Sequence, residues 1–134
     1  MQSQATTEKV EVTAEDLRKS LRAVLRLLDK WECSEKEKMS LLGVSRATLH
    51  RYQKNPATVN VTSELAERLS YLLNIHANLG IVFSNPENKY GFIRMANNNY
   101  FFNGLSPMEV MLSGRVGDLY EVHRQIDALR GGGW

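Results

Sequence analysis

Residues 36–54, KEKMSLLGVSRATLHRYQK, are the stretch of sequence that decides the fold. Gly43 stands in its middle, and glycine readily adopts the left-handed conformation that turns a chain sharply after a helix. Ser45 is a typical N-cap for a second helix. That helix should end before Asn55, because a residue preceding proline, here Pro56, is disfavoured in helical conformation. The pattern predicts two short helices joined by a tight glycine turn.

The side chains of this stretch divide into an apolar and a polar group. The apolar group should form a small core between the two helices, and it consists of Met39, Leu42, Val44, Leu49 and Tyr52. The polar group lies on the other face of the second helix, and it consists of Ser45, Arg46, Thr48, His50, Arg51 and Lys54. That face is therefore free to contact a partner.

Charge is distributed unevenly along the chain. Residues 1–60 carry 11 basic and 8 acidic side chains, a net charge of +3, whereas residues 61–134 carry 6 and 7, a net charge of −1. Between Lys38 and Ser63 there are four cations and no carboxylate. This window favours a polyanionic partner.

Two capping boxes precede the glycine turn. Thr13 with Asp16 predicts the start of an amphipathic helix that runs to about Trp31, and Ser34 with Glu37 predicts the next helix. Residues 1–12 are polar with little to bury, so we expect a flexible N-terminal tail.

Downstream, the helix signals continue. Thr62 or Ser63 should cap a long helix through Leu79, and residues 85–86 (Asn-Pro) should open a turn or short helix. Residues 106–109 (Ser-Pro-Met-Glu) predict a further helix start, and a last helix should run from about Arg115 to Arg130. Residues 80–84 and 100–102 are each a candidate for a brief extended segment.

The fold class predicted is all-α, an N-terminal helix-turn-helix packed with a C-terminal helical region. We divide the chain into a tail (residues 1–12), the helix-turn-helix region (residues 13–61) and a second region (residues 62–134).

Composition excludes several classes of protein. The single cysteine, Cys33, cannot form an internal disulfide and is expected to be buried. His50, His76 and His123 lie on different predicted helices without metal-site spacing, so we expect no metal, no cofactor and no enzymatic activity. No apolar run is long enough to cross a membrane, and we expect a cytoplasmic protein.

The glycine-turn stretch resembles the helix-turn-helix of phage-repressor (Cro-like) and Xre-type regulators. In that motif the start of the second helix enters the major groove of DNA. The resemblance implies that Arg46 and His50 lie near base edges, whereas Ser45, Thr48, Arg51 and Lys54 suit phosphates. The alternatives are a helical bundle with solvated arginines, or a motif kept only as a scaffold.

Residues 60–134 resemble the toxin-binding domain of Xre/MbcA/ParS-like antitoxins in RES-Xre toxin–antitoxin systems. The resemblance is carried by residues 104–109 (GLSPME), residues 111–114 (MLSG) and the closing helix that ends in glycine. It implies a RES-family toxin that consumes NAD and whose active-site entrance is occluded by the antitoxin's C-terminal segment. We assign toxin binding to Arg130, Gly131, Gly132, Gly133 and Trp134. The alternative is a frayed tail with no partner.

The predicted protein is thus an antitoxin that neutralises its toxin and represses its own operon by binding operator DNA. We expect a homodimer, since operators for such folds are palindromic, and a higher toxin–antitoxin complex. One alternative is a stand-alone transcriptional regulator whose second half only dimerises. Another is a toxin-binding protein that has lost DNA binding.

Overall fold

The computed structural model describes residues 12–132, and these residues form helices, turns and loops without a β-strand. The helices are α1 (Ala14–Lys30), α2 (Glu35–Leu42), α3 (Arg46–Lys54), α4 (Ser63–Val82), α5 (Pro86–Phe92), α6 (Pro107–Met111) and α7 (Val116–Arg130), with one turn of 3₁₀ helix (Pro56–Thr58) after α3. The all-α prediction is confirmed. The predicted flexible tail lies outside the described residues except for Val12.

The helix starts follow from local hydrogen bonds. Thr13 Oγ1 accepts from the Asp16 amide at 3.0 Å, and the Asp16 carboxylate accepts from the Thr13 amide at 3.2 Å. Ser34 with Glu37 and Ser106 with Glu109 form the same reciprocal pair. Each pair satisfies two amides that the first turn of a helix leaves without a partner. The two predicted capping boxes and the predicted helix start at residues 106–109 are confirmed.

The turn between α2 and α3 has the predicted geometry. Gly43 lies in the left-handed region, with φ +68°, and its amide donates to the Met39 carbonyl at 2.8 Å. Ser45 then caps α3 by accepting from the Thr48 amide at 3.2 Å. The two short helices therefore pack over a common core, in which Leu42 and Leu49 are buried.

The long helix α4 is the centre of the molecule. It packs most extensively against α7 and also contacts α1, α2 and α5. Its apolar side chains are buried on more than one side, because it has neighbours on several faces. The largest of the fully enclosed core side chains are Leu21, Leu28, Trp31, Leu41, Leu42, Leu49, Leu69, Leu72, Ile75, Leu79, Ile93 and Phe102.

Two predicted extended segments are wrong. Residues 80–82 continue α4, and the Phe83 amide still donates to the Leu79 carbonyl at 2.9 Å. The β-branched residues Ile81 and Val82 favour a strand by propensity alone, but no neighbouring strand exists within residues 12–132 for them to pair with.

Residues 100–102 form turns instead of a strand. Asparagine side chains hold them: Asn97 Oδ1 accepts from the Asn99 amide at 3.2 Å, and Asn99 Oδ1 accepts from the Phe102 amide at 2.8 Å. Such side-chain bonds give the backbone an alternative to sheet pairing.

A buried arginine connects the glycine turn to the last helix. Arg68 of α4 donates to the carbonyls of Leu41 (3.2 Å) and Gly114 (2.8 Å), and its Nε donates to Glu64 at 3.0 Å. A Cβ on Gly43 would lie 2.7 Å from Arg68 Cζ. Glycine is therefore required at position 43 for two reasons: it adopts the left-handed conformation, and it leaves room for the Arg68 guanidinium.

A second arginine connects α5 to the turn between α1 and α2. Arg94 donates to the carbonyl of Trp31 at 3.0 Å and to Glu37 at 2.9 Å and 3.3 Å. This pairing holds the pKa of Glu37 below its usual value. Arg68 and Arg94 both come from the second half of the sequence, and both bind backbone of the first half.

Cys33 is buried, as predicted, and burial raises the pKa of its thiol to about 11. Among the helices of residues 12–132, none has the length and apolar character needed to span a membrane.

Candidate DNA-binding and partner-binding surfaces

The six residues predicted to bind DNA lie together on α3 and its N-cap. Ser45, Arg46, His50, Arg51 and Lys54 are exposed, and Thr48 is half-buried. The opposite side of the helix is anchored in the core by two buried side chains, those of Leu49 and Tyr52. The helix therefore presents a fixed polar face, which we call the α3 face.

The start of α3 is organised by hydroxyl groups. Besides capping the Thr48 amide, Ser45 Oγ donates to Thr48 Oγ1 at 3.1 Å. Thr48 Oγ1 also accepts weakly from Arg51 at 3.4 Å. The two hydroxyls thus fix the first turn, while the helix N-terminus keeps the partial positive charge that favours phosphate.

A carboxylate that sequence reasoning missed lies on this face. Glu35, the first residue of α2, forms an ion pair with Arg46, whose Nε lies 2.9 Å from one carboxylate oxygen, and accepts a hydrogen bond from His50 Nε2 through the other. The hydrogen bond from His50 and the charge of Arg46 lower the pKa of Glu35. Although the sequence window from Lys38 to Ser63 contains no carboxylate, the folded protein therefore places the Glu35 carboxylate on the α3 face.

Glu35 was missed because it stands just before the acid-free window. No signal along the chain pointed to it, because Glu35 and Arg46 are 11 positions apart and their contact depends on how α2 and α3 cross.

The C-terminal end of α3 borders a shallow depression. Arg51 and Lys54 lie on one side of it, and it is lined by Tyr52, Asn55, Thr58, Val59, Asn60 and Thr62. The loop on its far side is fixed to α1, because Arg18 Nε donates to the Val59 carbonyl at 3.0 Å. Amide and hydroxyl donors beside two cations are suited to a phosphate backbone.

At the other end of the molecule, the residues predicted to bind a toxin are described only in part. Arg130 is held by Asp127 of its own helix, at 2.9 Å and 3.3 Å. Gly131 ends α7, and Gly132 has a positive φ of +78°. Gly133 and Trp134 lie outside the described residues.

Most of the exposed large apolar side chains of residues 12–132 belong to the second half of the chain. Apart from Val12, they are Ile81, Met95, Tyr100, Leu105 and Tyr120. Tyr100 is 87% exposed, the highest value among them. Sequence reasoning did not identify them as exposed, since an apolar residue in a loop or at the edge of a helical stripe gives no periodic signal that it faces solvent.

The three histidines have separate surroundings. His50 pairs with Glu35, the ring of His76 stacks on that of Tyr90 at 6.1 Å, and the ring of His123 lies 5.7 Å from that of Tyr71. Within residues 12–132, no group of three or more His, Cys, Asp and Glu side chains is arranged to hold a metal ion.

Comparison with known proteins gives two family matches. Residues 13–74 match the antitoxin Xre-like helix-turn-helix domain, and residues 78–132 match the antitoxin Xre/MbcA/ParS C-terminal toxin-binding domain. The two matches meet within α4.

A relative in Sinorhizobium fredii (strain NBRC 101917 / NGR234), with the name "Uncharacterized protein y4oB", is 36% identical over 131 residues. The alignment covers 97% of this chain and 95% of the relative. The similarity to this relative therefore spans both matched regions of the chain.

Proposed function

The chain belongs to the Xre-type antitoxins of toxin–antitoxin systems, and on this basis we propose that its partner is a RES-type, NAD-consuming toxin whose active-site entrance it covers. One observation carries the proposal: the region that matches a toxin-binding domain is also the region where large apolar side chains are exposed. Exposed apolar surface of this kind is typical of a face that another protein covers.

The C-terminal segment, residues 130–134, is suited to enter a narrow cleft. Three successive glycines have no side chains to clash with the walls of the cleft, and Trp134 adds a large apolar ring. Ordering the glycines costs several kcal/mol, at about 1–2 kcal/mol per residue. The exposed apolar side chains must therefore supply much of the affinity.

Removal of residues 131–134 tests this mechanism. We expect the truncated protein to retain toxin in a pull-down, because the apolar surface remains, but to lose protection of cells that express the toxin. NAD consumption by the purified complex is the direct measurement. A chain lacking residues 2–11 is the control, and it should protect normally. Full protection by the truncated chain would contradict occlusion by the C-terminal segment.

A second part of the proposal is that the protein represses its own operon by placing the α3 face in the major groove. The support is the exposed, anchored helix with Arg46 at its start, His50 one turn further on, and the cations Arg51 and Lys54 in its last turns. A homodimer would present two such helices to a palindromic operator, with half-sites about one helical turn apart.

Replacement of Arg46 and Arg51 by alanine tests the α3 face. The double variant should bind operator DNA at least tenfold more weakly and still neutralise toxin. Arg22→Ala with Arg124→Ala is the matched control, since it removes the same charge from exposed ion pairs elsewhere. Affinity should also fall steeply with salt, because phosphate contacts release counterions. Unchanged affinity of the double variant, or a flat salt response, would contradict DNA binding by α3.

A further inference from the structure

We propose that Glu35 determines the DNA sequence specificity of this protein by fixing Arg46 and His50 for base recognition. The proposal rests on the function proposed above, DNA binding by the α3 face. It goes further by assigning specificity to a carboxylate on the preceding helix, a residue type that would otherwise only weaken binding to a polyanion.

Both oxygens of the Glu35 carboxylate are used. One is in an ion pair with the Arg46 guanidinium and the other accepts from His50 Nε2, so a single side chain of α2 connects two positions one turn apart on α3. An ionised carboxylate only accepts hydrogen bonds, and His50 Nε2 must therefore be the donor in this pair. The orientations of the Arg46 guanidinium and the His50 imidazole are therefore set before DNA binds.

The pair leaves the recognition groups of Arg46 available. Its Nε faces Glu35, whereas no hydrogen bond within residues 12–132 uses its two Nη groups, and the side chain is 71% exposed. Two Nη groups side by side match the N7 and O6 acceptors of guanine in the major groove. Because Glu35 already restricts the long side chain, less conformational entropy is lost when the guanine contact forms.

Glu35 also disfavours incorrect sequences. At a correct site the guanidinium contacts the base and continues to neutralise the carboxylate. At an incorrect site Arg46 must leave Glu35 to reach a phosphate, or remain paired and make no base contact. If Arg46 leaves, the unpaired Glu35 carboxylate faces the DNA. If Arg46 stays, its hydrogen bonds to a base are lost. Discrimination of this kind combines an attractive and a repulsive element.

Glu35→Gln tests the proposal. Glutamine keeps one acceptor oxygen but loses the charge and the second acceptor. The probes are a duplex that the wild-type protein selects from a randomised pool and a scrambled duplex of the same composition. We expect affinity for the scrambled duplex to rise several-fold and the ratio of the two affinities to fall about tenfold, the discrimination expected for one bidentate base contact.

Two further variants make the result specific. Glu121→Gln removes the same charge from α7, where Glu121 pairs with Arg124, and it should leave the ratio unchanged. In a chain that already carries Arg46→Ala, Glu35→Gln should lower the ratio much less than in the wild type. The proposal would be overturned if Glu35→Gln lowered the affinity ratio equally with and without Arg46→Ala. It would also be overturned if the variant gained affinity equally for both duplexes.

The possible results distinguish a failure of the Glu35 proposal from a failure of DNA binding by the α3 face. If the wild-type protein selects no sequence and binds no duplex, the repressor function fails together with the role of Glu35. If the wild-type protein selects a site and Glu35→Gln keeps the affinity ratio, only the role of Glu35 fails. Thermal unfolding followed by circular dichroism should show that the variant is folded, as expected for an exposed side chain.

Discussion

At the scale of single residues, Arg68 has the most demanding environment. It is only 6% exposed, yet its guanidinium donates hydrogen bonds to three backbone carbonyls and one carboxylate. A buried charge is tolerated when it is paired and hydrogen-bonded in this way. Removal of the side chain leaves carbonyls without donors and creates a cavity.

Arg68→Ala should therefore lower the free energy of unfolding by about 3–5 kcal/mol, the range for breaking a buried charged network. Arg22→Ala should cost less than about 1 kcal/mol, because Arg22 makes one exposed ion pair with Glu15 at 3.4 Å. Urea unfolding of both variants gives the comparison. A cost for Arg68→Ala that is no larger than for Arg22→Ala would show that the network contributes little.

At the scale of elements, the turn between α2 and α3 carries two constraints on one residue. Gly43 needs a positive φ, and a Cβ there would press on the Arg68 guanidinium. Gly104 also has a positive φ, +94°, but nothing lies within 4 Å of the position its Cβ would occupy. Comparing alanine substitutions at Gly43 and Gly104 therefore separates the free-energy cost of a positive φ from the cost of a steric clash.

Gly43→Ala should cost more stability than Gly104→Ala. The left-handed conformation alone costs about 1–2 kcal/mol for a residue with a Cβ, and displacement of Arg68 adds to this at Gly43. In a chain that already carries Arg68→Ala, the cost of Gly43→Ala should fall to that of Gly104→Ala. Additive costs in this double-mutant cycle would contradict a contact between the turn and Arg68.

At the scale of the whole molecule, Arg94 and Glu37 connect the two halves of the chain. The depressed pKa of Glu37 makes this connection dependent on pH. Because the folded protein holds Glu37 ionised more strongly than the unfolded chain does, the stabilisation is present above the unfolded pKa. It is lost as the pH falls through the lower, folded pKa.

Glu37→Gln should lower the free energy of unfolding at pH 7 by about 1.5–3 kcal/mol, the range for hydrogen bonds to charged groups. The difference from wild type should shrink as the pH falls below about 4, near the ordinary pKa of glutamate. Glu109→Gln is the matched control, since Glu109 occupies the same position in the capping box of α6 without an arginine partner among the contacts of residues 12–132. A difference that is constant from pH 7 to pH 3 would contradict the charged pairing.

The first half of the chain was the more predictable from sequence. The ends of α1, α2 and α3 follow from Thr13, Ser34, Gly43 and Ser45, and the structure has them where the patterns predicted. The extent of α4 was not predictable in the same way, because Ile81 and Val82 favour a strand unless the packing of the neighbouring helices is known. The exposed face of α3 was predicted residue by residue, but its partner Glu35 was not.

The sequence by itself determined what depends on short range. A cap, a glycine turn or a capping box joins residues two to four apart, so a few side chains fix the local free energy and their order along the chain is sufficient. Only the tertiary structure decided the contacts of Glu35, Arg68 and Arg94. Their bonds join residues 15, 46 and 57 positions apart, to His50, Gly114 and Glu37 respectively. Such contacts depend on how whole helices pack, and a one-dimensional pattern does not contain that information.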